Sequence, residues 1–390
     1  MTILIPPLWS DQNNMKFLLI YVPNLRFEKF NNNWSRTTIS KVCVCNPKNE
    51  DKLDDEFIYI DLESVEKGVL KSKNIIHLKN APSRAQRILY KNDILFQSVR
   101  PYQRNNYLLN EDDDFLQYVA STGYIQLRTT LNPYFLFQLL NTDKINNEVM
   151  LRCTGTSYPA INSNDFSNIL ITITNDRNEQ NKIAKFFSLI EERIQTQIKI
   201  IDDYNSLKMG IYNWMFKENY ADYKLKQLAY IVKGDQINND QLLSNGPYYM
   251  MNGGTSPSGY LDSYNVSENT ISISEGGNSC GYVQFNSSPF WSGGHCYTIQ
   301  NVNSALIENK YLYHYLKHKE KEIMNLRIGT GLPNIQKKDL ENFTIFVPNL
   351  LIQRKNLALF EMLDEKICIL NEELERLEMQ KKYLLRNMFI

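Results

Sequence analysis

The chain has 390 residues, 43 basic and 43 acidic side chains, a formal net charge of zero and 43% hydrophobic residues. That length points to two or three domains, and zero net charge excludes a simple polycation that coats nucleic acid, although a binder needs only its facing surface positive. No run approaches the ~20 apolar residues of a membrane helix, and the stretch 17–22 is too short, without a basic flank, for a signal-peptide core, so a cytoplasmic protein with no membrane partner is expected. The six cysteines, Cys43, Cys45, Cys153, Cys280, Cys296 and Cys368, include no CxxC pair, which is the usage of reduced structural thiols.

In chain order, residues 1–23 form an N-terminal extension that matches no pattern. A first globular unit follows over 24–176. It has strand-like runs at 38–44, 57–60, 124–127 and 169–173, and a helix at 133–140 with Pro133 at its first position. Residues 177–217 carry a long helical pattern. A second unit over 218–349, richer in Gly and aromatics, has strand candidates at 270–274, 281–285 and 343–347 and a helical run at 306–321. A second long helix covers 350–390.

These elements repeat. Gly155, Thr156, Pro159, Ile161 and Asp165 match Gly329, Thr330, Pro333, Ile335 and Asp339. After a one-residue slip, Gln180 matches Gln353, Phe187 matches Phe360, and Met215-Phe216 matches Met388-Phe389. The chain is two copies of one plan: a globular unit, a GT-x-x-P segment and a long helix. Steps of four and three from Ile183 through Phe187, Ile190, Ile194, Gln197, Ile201, Tyr204, Lys208 and Ile211 to Met215 trace a mostly apolar seam. The matching positions from Asn356 through Phe360, Leu363, Ile367, Leu370, Leu374, Leu377, Lys381 and Leu384 to Met388 trace another, with Lys208 and Lys381 in the same register. Spacing near 3.5 is what a coiled coil buries. The expected fold is α/β (α+β): two globular domains related by pseudo-twofold symmetry, separated by two long antiparallel coiled-coil helices. Ile190, Ile194, Ile201, Leu363, Ile367 and Leu374 are expected to take part in helix pairing or subunit docking. Gly210 weakens the first helix near its end.

Signatures of catalysis are missing from the sequence: it has no P-loop, no GxSxG elbow and no HExxH. His314 and His318 stand four apart on a helical run but lack a third ligand in the pattern, and no metal site is expected. Asn132-Pro-Tyr-Phe135 is similar to a methyltransferase loop only superficially and reads as a helix start.

Three stretches could touch nucleic acid. The first holds Arg84, Arg87, Lys91, Arg100, Gln103 and Arg104; arginine can fork onto guanine or clamp phosphate. The second holds Lys233, Tyr248, Asn252, Gly253, Thr255 and Ser256, where glycines permit close backbone approach. The third holds Asn278, Ser279, Trp291 and His295. Solvated loops and tight β-turns are the ordinary alternative for each.

Val22-Pro-Asn-Leu-Arg-Phe27 followed by Trp34, Pro82-Ser-Arg-Ala85, Asp93-Ile-Leu-Phe-Gln-Ser-Val-Arg-Pro101, Asn252-Gly-Gly, Ile271-Ser-Ile-Ser-Glu-Gly-Gly277 and the duplicated GT-x-x-P plus helix strongly resemble the specificity (S) subunits of Type I restriction–modification systems. The resemblance covers nearly the whole chain; order and duplication make it specific. It implies a non-catalytic bacterial subunit of a DNA methylation and phage-defence complex. Each target-recognition domain would read one half of a split double-stranded DNA site. The paired helices would fix the spacer and dock two methyltransferase (modification) subunits. It implies no cofactor in this chain: S-adenosylmethionine belongs to the modification subunits, and ATP and Mg to the two restriction (helicase-nuclease) subunits that join in many systems. The alternative from residues alone is a duplicated coiled-coil scaffold that binds proteins without reading DNA.

Overall fold

The computed structural model describes residues 22–110, 115–216, 220–329, 331 and 333–390. Most of the expected N-terminal extension, 1–21, lies outside the described residues, as do Thr330 and Leu332 of the second GT-x-x-P segment. The chain divides into two compact units. One comprises Met1–Gln197 and Glu373–Ile390, the other Ile198–Glu372. Both are mixed α and β, and each contains part of both long helices.

The long helices run Arg177–Met215 and Leu350–Met388. At ~1.5 Å per residue each is roughly 58 Å long. The Asp176 carboxylate accepts from the backbone N–H of Asn178 and Glu179, satisfying donors that the first turn leaves open. Gly210 does not end the first helix: its backbone stays helical, with open space around the position.

In the first unit, the start of the first helix packs on the end of the second. Phe187 stacks on Phe389 with ring centroids 5.9 Å apart, Lys381 pairs with Glu191, and Arg193 pairs with Glu373 at 3.3 Å. Going up one helix means going down the other, so the pairing is antiparallel. Phe389 also meets Phe135 at 5.4 Å and Trp34 at 6.2 Å, and Ile190 and Leu384 pack against the same core. Val22-Pro-Asn-Leu-Arg-Phe27 secures this base. Leu25 N–H donates to the Asn387 carbonyl, Phe27 packs on Phe186, and Arg26 forks onto the buried Glu179 at 2.6 and 2.9 Å.

The second unit repeats the arrangement with the helices exchanged. Phe216, at the end of the first helix, meets Phe360 near the start of the second at 5.6 Å and Tyr311 at 5.4 Å. Lys208 pairs with Asp364, the counterpart of Lys381 with Glu191. The seam lysines are therefore the polar pins of the pairing. Ile194, Ile201 and Leu363 are buried, and Ile190, Ile367 and Leu374 half-buried. The sequence periodicity does not single out Tyr212, which is also buried: its ring lies 4.6 Å from Phe360.

Each globular part carries the same four-stranded antiparallel sheet. In the first unit its order is Cys43–Cys45, Tyr124–Thr129, Ile94–Gln97, Tyr107–Leu108; in the second it is Tyr230–Lys233, Cys296–Gln300, Thr270–Ser274, Val283–Asn286. A second sheet in each unit contains one parallel pair, Glu56–Ile60 with Gln117–Ser121 and Tyr248–Met251 with Trp291–Ser292. The first unit adds a strand, Ala85–Leu89, against Gln117–Ser121.

Two expected elements differ. The β-branched run 38–44 is split into a helical turn, Ile39–Val42, and a strand, Cys43–Cys45. The chain must leave the two-stranded ribbon Ser35–Thr38/Leu170–Ile173 and enter the four-stranded sheet there, and Ile39 N–H donates to the Ile169 carbonyl at the turn. Leu225–Leu228 makes the same turn, with Leu225 N–H on the Phe343 carbonyl. The helical run 306–321 divides at Lys319 into Asn309–His318 and Glu320–Met324. Helix Pro133–Leu140 starts as expected, its Asn132 side chain accepting from Phe135 N–H. All six cysteines are free.

Replacing Phe389 or Phe216 by Ala should cost about 3–5 kcal/mol, the range for a buried aromatic, measured by denaturant unfolding. A loss below about 1 kcal/mol would show that neither ring holds its unit together. His314 is buried against Tyr212, their side chains 2.8 Å apart, and burial lowers its pKa from 6.5 to about 4, outweighing the nearby Asp364 carboxylate. The unfolded imidazole protonates near 6.5 and the folded one only near 4, so the unfolded state holds the extra proton in between. Stability present above pH 6.5 is therefore lost as pH falls toward 4. His314→Gln should flatten that part of the stability–pH curve; an unchanged slope would rule out His314 as its source.

Candidate nucleic-acid interface

Three segments meet at one place in each globular part. In the first unit the strand Ile94–Gln97 leads into Ser98-Val99-Arg100. Ser98 N–H donates to the Gly123 carbonyl at the hairpin tip, Ile161 N–H to the Ser98 carbonyl at 3.0 Å, and Arg100 N–H to the Pro159 carbonyl at 2.7 Å. In the second unit the strand Thr270–Ser274 leads into Glu275-Gly276-Gly277. Glu275 N–H donates to the His295 carbonyl, Ile335 N–H to the Glu275 carbonyl at 2.8 Å, and Gly277 N–H to the Pro333 carbonyl at 3.0 Å. The hydrogen bonds are the same, so Arg100 and Gly277 hold equivalent positions. Both have positive φ, 54° and 76°. The GT-x-x-P segment is the third participant. It folds back on itself through Thr154–Ala160 and Ile328–Asn334 bridges, and Gly155 and Gly329 take φ of 89° and 104°, which is why glycine opens the motif.

On this shared backbone the side chains differ. In the first unit the Arg100 guanidinium lies 4.3 Å from the Tyr158 ring centre. Arg84 is exposed, and its carbonyl receives Thr122 N–H, so it stands beside the same hairpin tip. Gln103 is exposed and accepts from the buried Gln97 side chain. Arg104 is committed to Asp143 at 2.7 Å. Arg87 sits half-buried on a strand, where burial lowers its pKa. Lys91 lines a cleft of about 520 Å³ with Tyr90, Asp93, Arg128 and Arg177.

In the second unit the centre is Glu275, which is buried. Its carboxylate takes Lys233 at 2.6 Å and the Tyr297 hydroxyl at 3.0 Å, and His295 Nδ1 stands 3.6 Å away. His295 N–H donates to the Asn252 side chain, and Gly253 packs against the His295 backbone. Lys233, Asn252, Gly253 and His295 are thus brought together. Thr255, Ser256 and Asn278 are exposed nearby in sequence, on loops that follow these segments, and Ser279 is half-buried. Trp291 donates its indole N–H to the Asp235 carbonyl, and Tyr248 packs on Tyr264.

Sequence reasoning passed over Asp93 and Arg128 as a pair. Asp93 is buried and accepts from Arg128 at 3.0 and 2.9 Å, from Gln126 at 2.7 Å and from Tyr90 N–H. This carboxylate raises the Arg128 pKa further and holds its guanidinium, itself 4.8 Å from the Tyr90 ring, at the cleft. Tyr158 and Glu275 lie inside motifs that the sequence displays, Tyr158 within GT-x-x-P and Glu275 within Ile271-Ser-Ile-Ser-Glu-Gly-Gly277, but nothing in those motifs marks either side chain as a contact.

Among the described residues no helix is long and apolar enough to cross a membrane, and no group of His, Cys, Asp and Glu is arranged to hold a metal.

The arrangement defines a class: a duplicated α/β frame on paired helices. Residues 217–379 match the family model of the Type I restriction modification DNA specificity domain. Over 95% of this chain and 99% of its own, the crystal structure of a Type I restriction–modification S subunit from M. genitalium superposes with a TM-score of 0.63 at 19% identity. A chain from a structural study of assembly and conformational transition in the type I R-M system gives 0.56 at 22% identity, covering 90% of this chain and 96% of its own. A type I specificity subunit of Mycoplasma pneumoniae is 33% identical over 158 residues, 40% of this chain and 42% of that protein. One from Mycoplasma genitalium is 32% identical over 127 residues, 33% of each chain. The HindI specificity subunit of Haemophilus influenzae is 26% identical over 154 residues, 38% of this chain and 32% of that protein. The sequence matches thus span well under half the length of these relatives. Residues 217–379 are thus similar to the DNA specificity domain of Type I restriction–modification systems, and the chain shares the fold of the S subunit from M. genitalium.

Asp93→Ala should cost about 3 kcal/mol, because it strands buried donors and an unpaired guanidinium, measured by denaturant unfolding. A change within about 0.5 kcal/mol would mean that Asp93 does not organise the cleft.

Proposed function

We propose that the chain is the sequence-specificity subunit of a Type I restriction–modification complex, non-catalytic by itself and cytoplasmic. Its first globular part reads one half of a bipartite double-stranded DNA site and its second part the other. The helix pair sets the spacer and docks two modification subunits, which bring S-adenosylmethionine and methylate adenine. Restriction subunits that use ATP and Mg join where the system includes them. The domains divide as 24–176, 177–217, 218–349 and 350–390.

The observation that carries this reading is the frame made twice with unlike side chains on it. One set of backbone hydrogen bonds presents Arg100 and Tyr158 in the first unit, and Lys233, Glu275 and His295 in the second. Two readers of different half-sites need that combination: a constant mount and changeable contacts. Arg84, Lys91, Arg100 and Gln103 on one part, and Asn252, Thr255, Ser256, Asn278 and His295 on the other, are the proposed contacts. Phosphate contacts would give salt-dependent affinity, and groove contacts the choice of bases. The relatives named as Type I specificity subunits support the same reading.

The test is adenine-methylation mapping in cells that express this chain with its modification subunits. Exchange of 218–349 for the corresponding segment of another specificity subunit should change one half of the methylated motif and leave the other half intact. Methylation that is independent of this chain, or an exchange that alters both halves, would overturn the proposal.

A further inference from the structure

The turn Pro101–Gln103 is flanked by two arginines with left-handed backbones, Arg100 at φ 54°, ψ 52° and Arg104 at φ 56°, ψ 33°. That region is costly for a residue with a side chain and free for glycine. Arg104 has a visible reason for its place, the bond to Asp143. Arg100 has none within the fold. Its guanidinium nitrogens have no hydrogen-bond or ion-pair partner among the described residues, and its one side-chain interaction is the face laid on Tyr158, itself 63% exposed. At the equivalent position in the second unit stands Gly277, the residue that the backbone prefers. The first unit thus keeps a long, charged side chain where its own twin dispenses with one.

We propose that Arg100 is a DNA-contacting residue of the first unit and that Tyr158 is its positioning residue. This rests on the DNA-reading function proposed above. Stacking fixes the plane of the guanidinium and leaves its N–H edges free to fork onto a pair of acceptors, which on duplex DNA are the O6 and N7 of a guanine or two phosphate oxygens. The strained backbone aims the side chain, and the hydrogen bond from Arg100 N–H to the Pro159 carbonyl couples that aim to the GT-x-x-P segment.

The decisive variant is Arg100→Gly, because it relieves the backbone while removing the contact. The full chain, co-purified with its modification subunits, is tested on a duplex library of random sequence, with selected motif, affinity, salt dependence and melting temperature as readouts. Arg100→Gly should melt no lower than wild type yet bind the selected motif about tenfold or more weakly, in the range of one bidentate contact. Arg100→Lys should recover only part of that loss, since an ammonium neither stacks nor forks. Tyr158→Ala should behave like Arg100→Lys, and Tyr158→Phe like wild type. Loss of selectivity at one base pair marks a guanine contact; uniform weakening with a salt slope smaller by about one marks a phosphate. If wild type selects a motif and Arg100→Gly selects and binds it equally well, or if Arg100→Gly melts lower, the assignment of Arg100 is overturned while the reading function stands. If wild type selects no motif, both are overturned.

Discussion

The structure depends on one interaction made twice: an aromatic ring at the end of each long helix inserted beside the start of the other. Phe389 lies on Phe187 in the first unit and Phe216 on Phe360 in the second. A helix of 39 residues with alternating seam and solvated faces has little stability alone; burying its last ring in a globular core anchors it. The same contact makes each core incomplete without a segment from the far part of the chain. The lysine pins, Lys381 on Glu191 and Lys208 on Asp364, add register to this anchoring. A partly buried charge finds its partner in one alignment and is stranded in others.

From this base a constant frame extends outward. The buried Gln180 bonds the Asn132 N–H and the Thr174 carbonyl, and the buried Gln353 bonds the Glu308 N–H and the Pro348 carbonyl. One side chain in each unit thereby ties the long helix to the start of a short helix and to the loop that precedes it. Further out, the links are backbone hydrogen bonds between the post-strand turn, the hairpin tip and the GT-x-x-P segment. Backbone bonds do not depend on side-chain identity, so the frame can persist while everything displayed on it changes.

The display differs in chemistry as well as in sequence. The first unit offers a stacked guanidinium and an exposed Arg84; the second surrounds a buried carboxylate with Lys233, Tyr297 and His295. Zero net charge for the chain therefore conceals local concentrations of charge, and those decide how a duplex would meet each surface. Glu275 matters here because it already engages Lys233, so that lysine is positioned by the protein before any ligand arrives.

By itself the sequence determined the duplication, both long helices, the seam with its two lysines, a minority of the strands and the motifs that carry the family likeness. These are properties of period and order along the chain, and a helical or alternating pattern needs no distant partner to be read. Only the tertiary structure decided that Ser98-Val99-Arg100 corresponds to Glu275-Gly276-Gly277, which share no residue, that Asp93 holds Arg128, and that Tyr158 lies under Arg100. It also turned the β-branched run 38–44 into a helical turn before its strand. The physical reason is common to all of these. They are set by bonds between segments far apart in the chain, and such bonds leave no periodic trace in the amino acids that make them.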